Sequence, residues 1–246
     1  MSTPLLKELL RLEEAVDYRR SPKSNEASFS IENGKRRVLI SAPHGSAHIR
    51  KGLLKPEEEF TTAITRFLAR KTGAYAIYAT HMHRGDPNWD KSSRYKQAIK
   101  ELVEREEISF LIDLHGMTNR HGIGIAIGTM NGRSCPDHEA PVSDLFRSSG
   151  YDELAPDVTP PPLTKTHPKW GTFVVNHPRF TGGIVSHTIT RYAAEELRIS
   201  AVQIELASQI RIVERGPYGS WPKYVGNPEA IRTTIETLST LVTEII

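Results

Sequence analysis

Arg37-Val38-Leu39-Ile40-Ser41-Ala42-Pro43-His44-Gly45 is an apolar run that ends on a histidine set between proline and glycine. The arrangement returns at Phe110-Leu111-Ile112-Asp113-Leu114-His115-Gly116, and a third run, Ala201-Val202-Gln203-Ile204-Glu205-Leu206, carries a glutamate among apolar neighbours. Such runs alternate with helical patterns, which predicts an α/β fold: one domain, with a mixed, mostly parallel sheet flanked by helices. In open α/β sheets the carboxyl ends of the strands border the ligand crevice, so His44, His115 and Glu205 are expected to converge. Two imidazoles and a carboxylate in one crevice are the ingredients of a catalytic zinc site.

Composition agrees with an ordinary globular protein and narrows the classes. The 246 residues are 38% hydrophobic and 25% charged, enough for a large core. The net charge of +3, from 32 basic and 29 acidic residues, gives no reason to expect nucleic-acid or membrane binding. Cys135 is the only cysteine, which excludes an intrachain disulfide and a cysteine-rich metal site. Residues 1 to 20 read as an amphipathic helix and not a signal peptide, and no apolar run approaches the ~20 residues of a membrane span. A cytoplasmic location is the expectation.

The layout predicted along the chain starts with an N-terminal helix and loop over 1–34. It continues with a helix over 56–71 opened by Pro56 and three glutamates, a strand over 74–79, a loop over 81–89 and a helix over 91–106. A strand over 122–129 and a helix near 140–149 follow, then a proline-rich rim loop or lid over 156–168. Short strands at 173–175 and 183–188, a helix over 191–197 and a final helix from Pro228 complete a single domain spanning 1–246.

A catalytic zinc keeps three protein ligands and leaves one position for water, so His44 and His115 need a third partner. Glu57, Glu58 and Glu59 are candidates, as are His48, His81 and His83; equally, acids at a helix start complement its dipole. Asp113 shares a strand face with His115 and either hydrogen-bonds it or another loop, or is a structural carboxylate paired with a backbone amide. Asp86-Pro87-Asn88 either faces the substrate or only builds a turn. Glu205 is a general base or a buried partner of an arginine such as Arg211. A serine hydrolase using Ser41 or Ser46 lacks the Gly-x-Ser-x-Gly elbow.

These pieces carry a resemblance. Pro43-His44-Gly45, Glu57-Glu58-Glu59-Phe60, Asp86-Pro87-Asn88, Ile112-Asp113-Leu114-His115, Gly182-Gly183 and Gln203-Ile204-Glu205 stand in the order found in the N-formylglutamate amidohydrolases. That family is similar in fold to zinc carboxypeptidases and aspartoacylases, so the resemblance implies a phosphorylase/hydrolase-like, zinc exopeptidase-like sheet. It further implies one Zn2+ per chain on His44, Glu58 and His115, with Glu205 as general base and a small anionic amide as substrate. An arginine is called for to hold a substrate carboxylate or to steady the tetrahedral oxyanion in catalysis, with Arg84, Arg94 and Arg191 as candidates; Arg84 shares the loop of Asp86 and Asn88. Two positions depart from the pattern. Ala47 replaces the carboxypeptidase glutamate three residues after the first histidine, and Trp89 stands where an arginine usually follows Asp-Pro-Asn. A metallo-carboxypeptidase-like peptidase and a metal-free small-molecule binding protein are the alternatives.

Overall fold

The three apolar runs lie side by side as parallel strands at the middle of one sheet. The computed structural model describes residues 4–163, 170–214 and 226–245. Its elements in chain order begin with α1 (Pro4–Glu13), β1 (Phe29–Glu32), β2 (Val38–Ala42), β3 (His48–Arg50), β4 (Leu53–Lys55), α2 (Thr61–Thr72), β5 (Tyr75–Ala79) and α3 (Arg94–Arg105). They continue with β6 (Phe110–Met117), β7 (Ile125–Gly128), α4 (Glu139–Ser148), β8 (Asp152–Leu154), β9 (Thr172–Val175), α5 (Ile189–Glu195), β10 (Ser200–Ala207) and α6 (Pro228–Thr240).

The eight-stranded sheet has the order β1-β5-β2-β6-β10-β7-β9-β8. Only the β1–β5 and β10–β7 pairs are antiparallel, so the fold is mixed, mostly parallel α/β. Strand alternation sends Ile40, Ile112 and Val202 to one face, with Leu9, Ile64 and Ile235 from α1, α2 and α6. Leu39, Leu111 and Ala201 face the other way, with Ile99 and Ile189 from α3 and α5. Both faces are covered by helices, which is why the central strands read as nearly continuous apolar runs.

The predicted helix over 56–71 begins later than expected, at Thr61. Residues 56–60 form a turn, and Phe60 adopts a left-handed backbone (φ 67°), an uncommon conformation for a bulky side chain. Two interactions sustain it. Phe60 is buried, and the Glu13 carboxylate caps α2 by accepting the N–H of Phe60 at 2.5 Å and of Ala63 at 3.1 Å. The predicted strand over 183–188 is also absent. Thr188 instead caps α5, accepting the Arg191 N–H while its hydroxyl donates to the Gly182 carbonyl. The small β3–β4 hairpin was not foreseen; its two-residue turn, Lys51 and Gly52, has positive φ at both positions, as a tight hairpin demands. Of the proline-rich loop, 156–163 is irregular chain and 164–168 lies outside the described residues. No helix among the described residues is long and apolar enough to cross a membrane.

Candidate metal centre

His44 leaves the end of β2 and His115 lies near the end of β6, in register with Glu205 on the neighbouring β10. Gly45 lets the chain turn tightly after His44, since a Cβ there would lie 2.0 Å from Thr62 Oγ1. The turn ahead of α2 then returns Glu58 to the strand ends, its N–H donating to the His44 carbonyl at 2.8 Å. Glu58 meets both histidines. Its Oε1 lies 3.1 Å from His44 Nδ1, and its Oε2 lies 3.2 Å from His115 Nδ1 and accepts the Gly116 N–H at 2.9 Å.

The far nitrogen of each ring is held by a second, fully buried carboxylate. His44 Nε2 lies 2.8 Å from Asp86 Oδ1, and His115 Nε2 lies 3.2 Å from Asp113 Oδ2. Ser41 and Thr190 donate to Asp113, and the N–H groups of Asn88 and Trp89 donate to Asp86. An Nε2–H engaged by an aspartate leaves the Nδ1 lone pair aimed at the Glu58 carboxylate. Two lone pairs facing two anionic oxygens repel unless positive charge lies between them. Protons can supply that charge, and so can one cation. The ligand atoms of His44, Glu58 and His115 lie within 4.8 Å of one another, and imidazole with carboxylate is a zinc donor set. The residues fit the ion.

The electrostatics follow from this crowding. Burial lowers the affinity of both histidines for a proton, but Glu58 and Asp86 raise His44, and Asp113 with Glu58 raises His115 well above its usual value. Burial raises Glu58, yet the two histidines hold it well below the carboxylate range. Glu205 differs. Burial pushes it up to about 7, and among the described residues only the Gln203 amide donates a hydrogen bond to it, at 2.9 Å. A carboxyl near neutrality beside a cation site can take and return a proton.

Of the two readings of Asp86, the structure shows the turn: it accepts the N–H groups of Asn88 and Trp89 and lies behind His44, where Arg50 also pairs with it. Asn88 accepts the Ile189 N–H at 2.7 Å and lies 3.4 Å from His115 Nε2. His48, His81 and His83, weighed as ligands, are placed otherwise. His48 stacks on His44 with ring centres 4.0 Å apart, and with His44 and Asp86 it forms a second trio of ligand type. Arg50 already neutralises the carboxylate of that trio. His81 lies against Asp17, and His83 is buried beside Ser28. Glu57 is bound by Arg19, and Glu59 is buried with its carbonyl turned to Arg211.

A pocket of about 310 Å³ opens over the centre, lined by His44, Glu58, Asn88, Trp89, His115 and Glu205 among others. Its arginines are Arg50 and Arg179. Arg84 and Arg94 line a separate pocket beyond Asp86, because the 84–94 loop turns them away as Asp86 turns inward. Arg191 is occupied by the Gly183 carbonyl and Glu195. Nothing in the sequence signalled Arg50, which depends on the unforeseen hairpin, or Arg179, which sits in an irregular segment.

No family model matches the chain, and no curated protein matches it. Solved structures with a similar course of chain include the succinylglutamate desuccinylase of Chromobacterium violaceum, 11% identical with a TM-score of 0.48, covering 98% of this chain and 76% of that one. A bacteriophage poly-gamma-glutamate hydrolase is 12% identical (TM-score 0.41), covering 88% of this chain and 89% of that one. A metallo-carboxypeptidase from Burkholderia cenocepacia is 10% identical (TM-score 0.43), with 91% of this chain covering 58% of that one. Likenesses of this size say nothing about activity.

Proposed function

We propose that this protein is a zinc-dependent hydrolase that cleaves the amide bond of a small N-acylated amino acid, of the N-formylglutamate kind. The observation that carries the reading is the pair of Nδ1 atoms facing one carboxylate while buried aspartates hold both Nε2 atoms. Zinc bound by His44, Glu58 and His115 would polarise the substrate carbonyl and lower the pKa of water toward ~7. Glu205 takes a proton from the attacking water. It then returns that proton to the amine nitrogen as the C–N bond breaks, leaving a carboxylic acid and a free amine. Asn88, anchored on the Ile189 N–H, borders the same pocket and is placed to orient the carbonyl. The substrate's own carboxylate meets Arg179 at the rim, in place of the arginines foreseen from the sequence.

Elemental analysis of purified protein tests the ligand set. About one zinc per chain is expected, lost in His44→Ala and His115→Ala. Glu205→Gln should keep its zinc and its melting temperature while kcat falls roughly 10²–10⁴-fold. A Glu205→Gln protein that melts early yet turns over normally would leave Glu205 a structural residue. Full zinc in both histidine variants would sink the centre itself.

A further inference from the structure

Arg211 is buried, and among the described residues its guanidinium bonds to backbone carbonyls and not to the Glu205 carboxylate. The chain leaves β10 through a single turn, Ser208–Ile210, which brings Arg211 back to the end of that strand. There its Nε donates to the Leu206 carbonyl at 3.3 Å, and its Nη1 donates to the Glu59 carbonyl. Its guanidinium carbon packs on Gly116, where a Cβ would come within 2.6 Å of it. Leu206 follows Glu205, Glu59 follows Glu58, and Gly116 follows His115. One cation thus touches the chain one residue beyond Glu205, Glu58 and His115 alike.

The contact with Glu59 has a further consequence. The carbonyl of Glu59 and the N–H of Phe60 belong to one peptide group, and Glu13 accepts that N–H at 2.5 Å. The peptide is gripped at both ends of its dipole, by a cation on the oxygen and a carboxyl oxygen on the hydrogen. It leads into the left-handed Phe60, and so into the turn that returns Glu58 to the strand ends. Two carbonyls can be satisfied by neutral donors, and burying a guanidinium is costly. What the guanidinium adds is a rigid plane. Nε and Nη1 keep a fixed separation, and the two carbonyls they bind are held to it.

Resting on the function proposed above, we infer that Arg211 is a positioning residue for that reaction. Through one rigid plane it fixes the spacing between Glu58, which would hold the zinc, and Glu205, which would serve as the base. Arg211 does not line the pocket over the centre, so it acts only through these neighbours. The effect is large for a residue outside that pocket, because a misplacement of about 1 Å can cost about 10²-fold in rate.

Arg211→Lys keeps the charge and replaces two donors in a plane by one nitrogen. In zinc-loaded protein acting on N-formylglutamate, kcat should fall roughly 10²-fold while KM changes little. Most of that loss should vanish when the substitution is made in Glu205→Gln, since the base whose place it sets is already gone. A residue that only stabilises the fold would lose the same factor in both backgrounds, and that result overturns the inference. So does wild-type kcat in a folded Arg211→Lys protein. Zinc affinity, read by competition with a chelator, tests the Glu58 side without turnover. It should weaken several-fold in Arg211→Lys, and unchanged affinity overturns that side. Arg211→Gln, neutral and with a single donor nitrogen, enters the same comparisons and should fall at least as far, so a lysine variant that fails to fold does not end the test. Wild-type protein that loads zinc and cleaves no N-acyl amino acid overturns the function proposed above, and the affinity measurement still decides for or against Arg211.

Discussion

His44 and His115 are each held at both ends of the ring, and that arrangement sets what single substitutions do. Asp86 and Asp113 fix which nitrogen carries the proton, so their effect is felt at Nδ1, across the ring. Asp86→Asn and Asp113→Asn should each weaken zinc binding about 10–100-fold while leaving the three ligands in place. Competition against a chromophoric chelator measures this, and wild-type affinity in both variants would make the aspartates mere fillers. Gly116 gives a second prediction. A Cβ there would sit 2.6 Å from the Arg211 guanidinium carbon, and that guanidinium is anchored by the Glu59 and Leu206 carbonyls. Gly116→Ala should lower the melting temperature and also the zinc affinity, because the Gly116 N–H holds Glu58. The convergence of His44, His115 and Glu205 was legible because a polar residue closing an apolar run has one geometric meaning in this kind of sheet. Glu58 was not separable from Glu57 and Glu59 on residue type alone. What separates them is a left-handed Phe60, and nothing in a bulky aromatic announces positive φ.

Among the elements, α1 and α2 are joined by a carboxylate that works as a cap from another helix. Glu13 accepts the Tyr18 hydroxyl at 2.6 Å and two N–H groups at the start of α2. Burial nevertheless pushes its pKa up to about 7, against an ordinary value of 4.5. The folded state therefore keeps this proton after the unfolded chain has released it. The contribution to stability is full below pH 4.5 and is lost as the pH rises through about 7. Glu13→Gln should remove that dependence. The melting-temperature difference between variant and wild type should shift in the variant's favour as the pH rises across this window. A difference that stays constant would mean the carboxyl is ionised throughout. The strands at the middle of the sheet were readable from apolar length. The start of α2 was misplaced because Pro56 and three acids imitate a helix N-terminus, while the true cap comes from Glu13, 47 residues earlier than Phe60. No local window contains both partners.

The molecule as a whole joins its centre across strands far apart in sequence. The proposed zinc would bind the folded arrangement and would find no preformed site in the unfolded chain, so it should stabilise by mass action. Free zinc at about 100 times Kd is worth roughly 2.7 kcal/mol. At about 2–4 °C per kcal/mol for a chain of this size, the melting temperature should rise by about 5–10 °C. Differential scanning calorimetry with and without chelator reads this directly, and His115→Ala should lose most of the shift. The α/β class and the mostly parallel sheet could be anticipated from the sequence, but the strand order could not, since apolar runs do not say which neighbour they choose.

That order has a consequence for how the protein is made. β10 sits between β6 and β7, so the strand bearing Glu205 is the joint between the two parts of the sheet. On a ribosome the chain exposes His44, Glu58 and His115 long before residues 200–207 are synthesised. A nascent chain can thus gather the three proposed ligands while the open edge of β6 still waits for a partner. Until β10 slides in, such a chain holds the proposed ligands without the proposed base, and its unpaired β6 edge is the surface that a chaperone has most reason to cover.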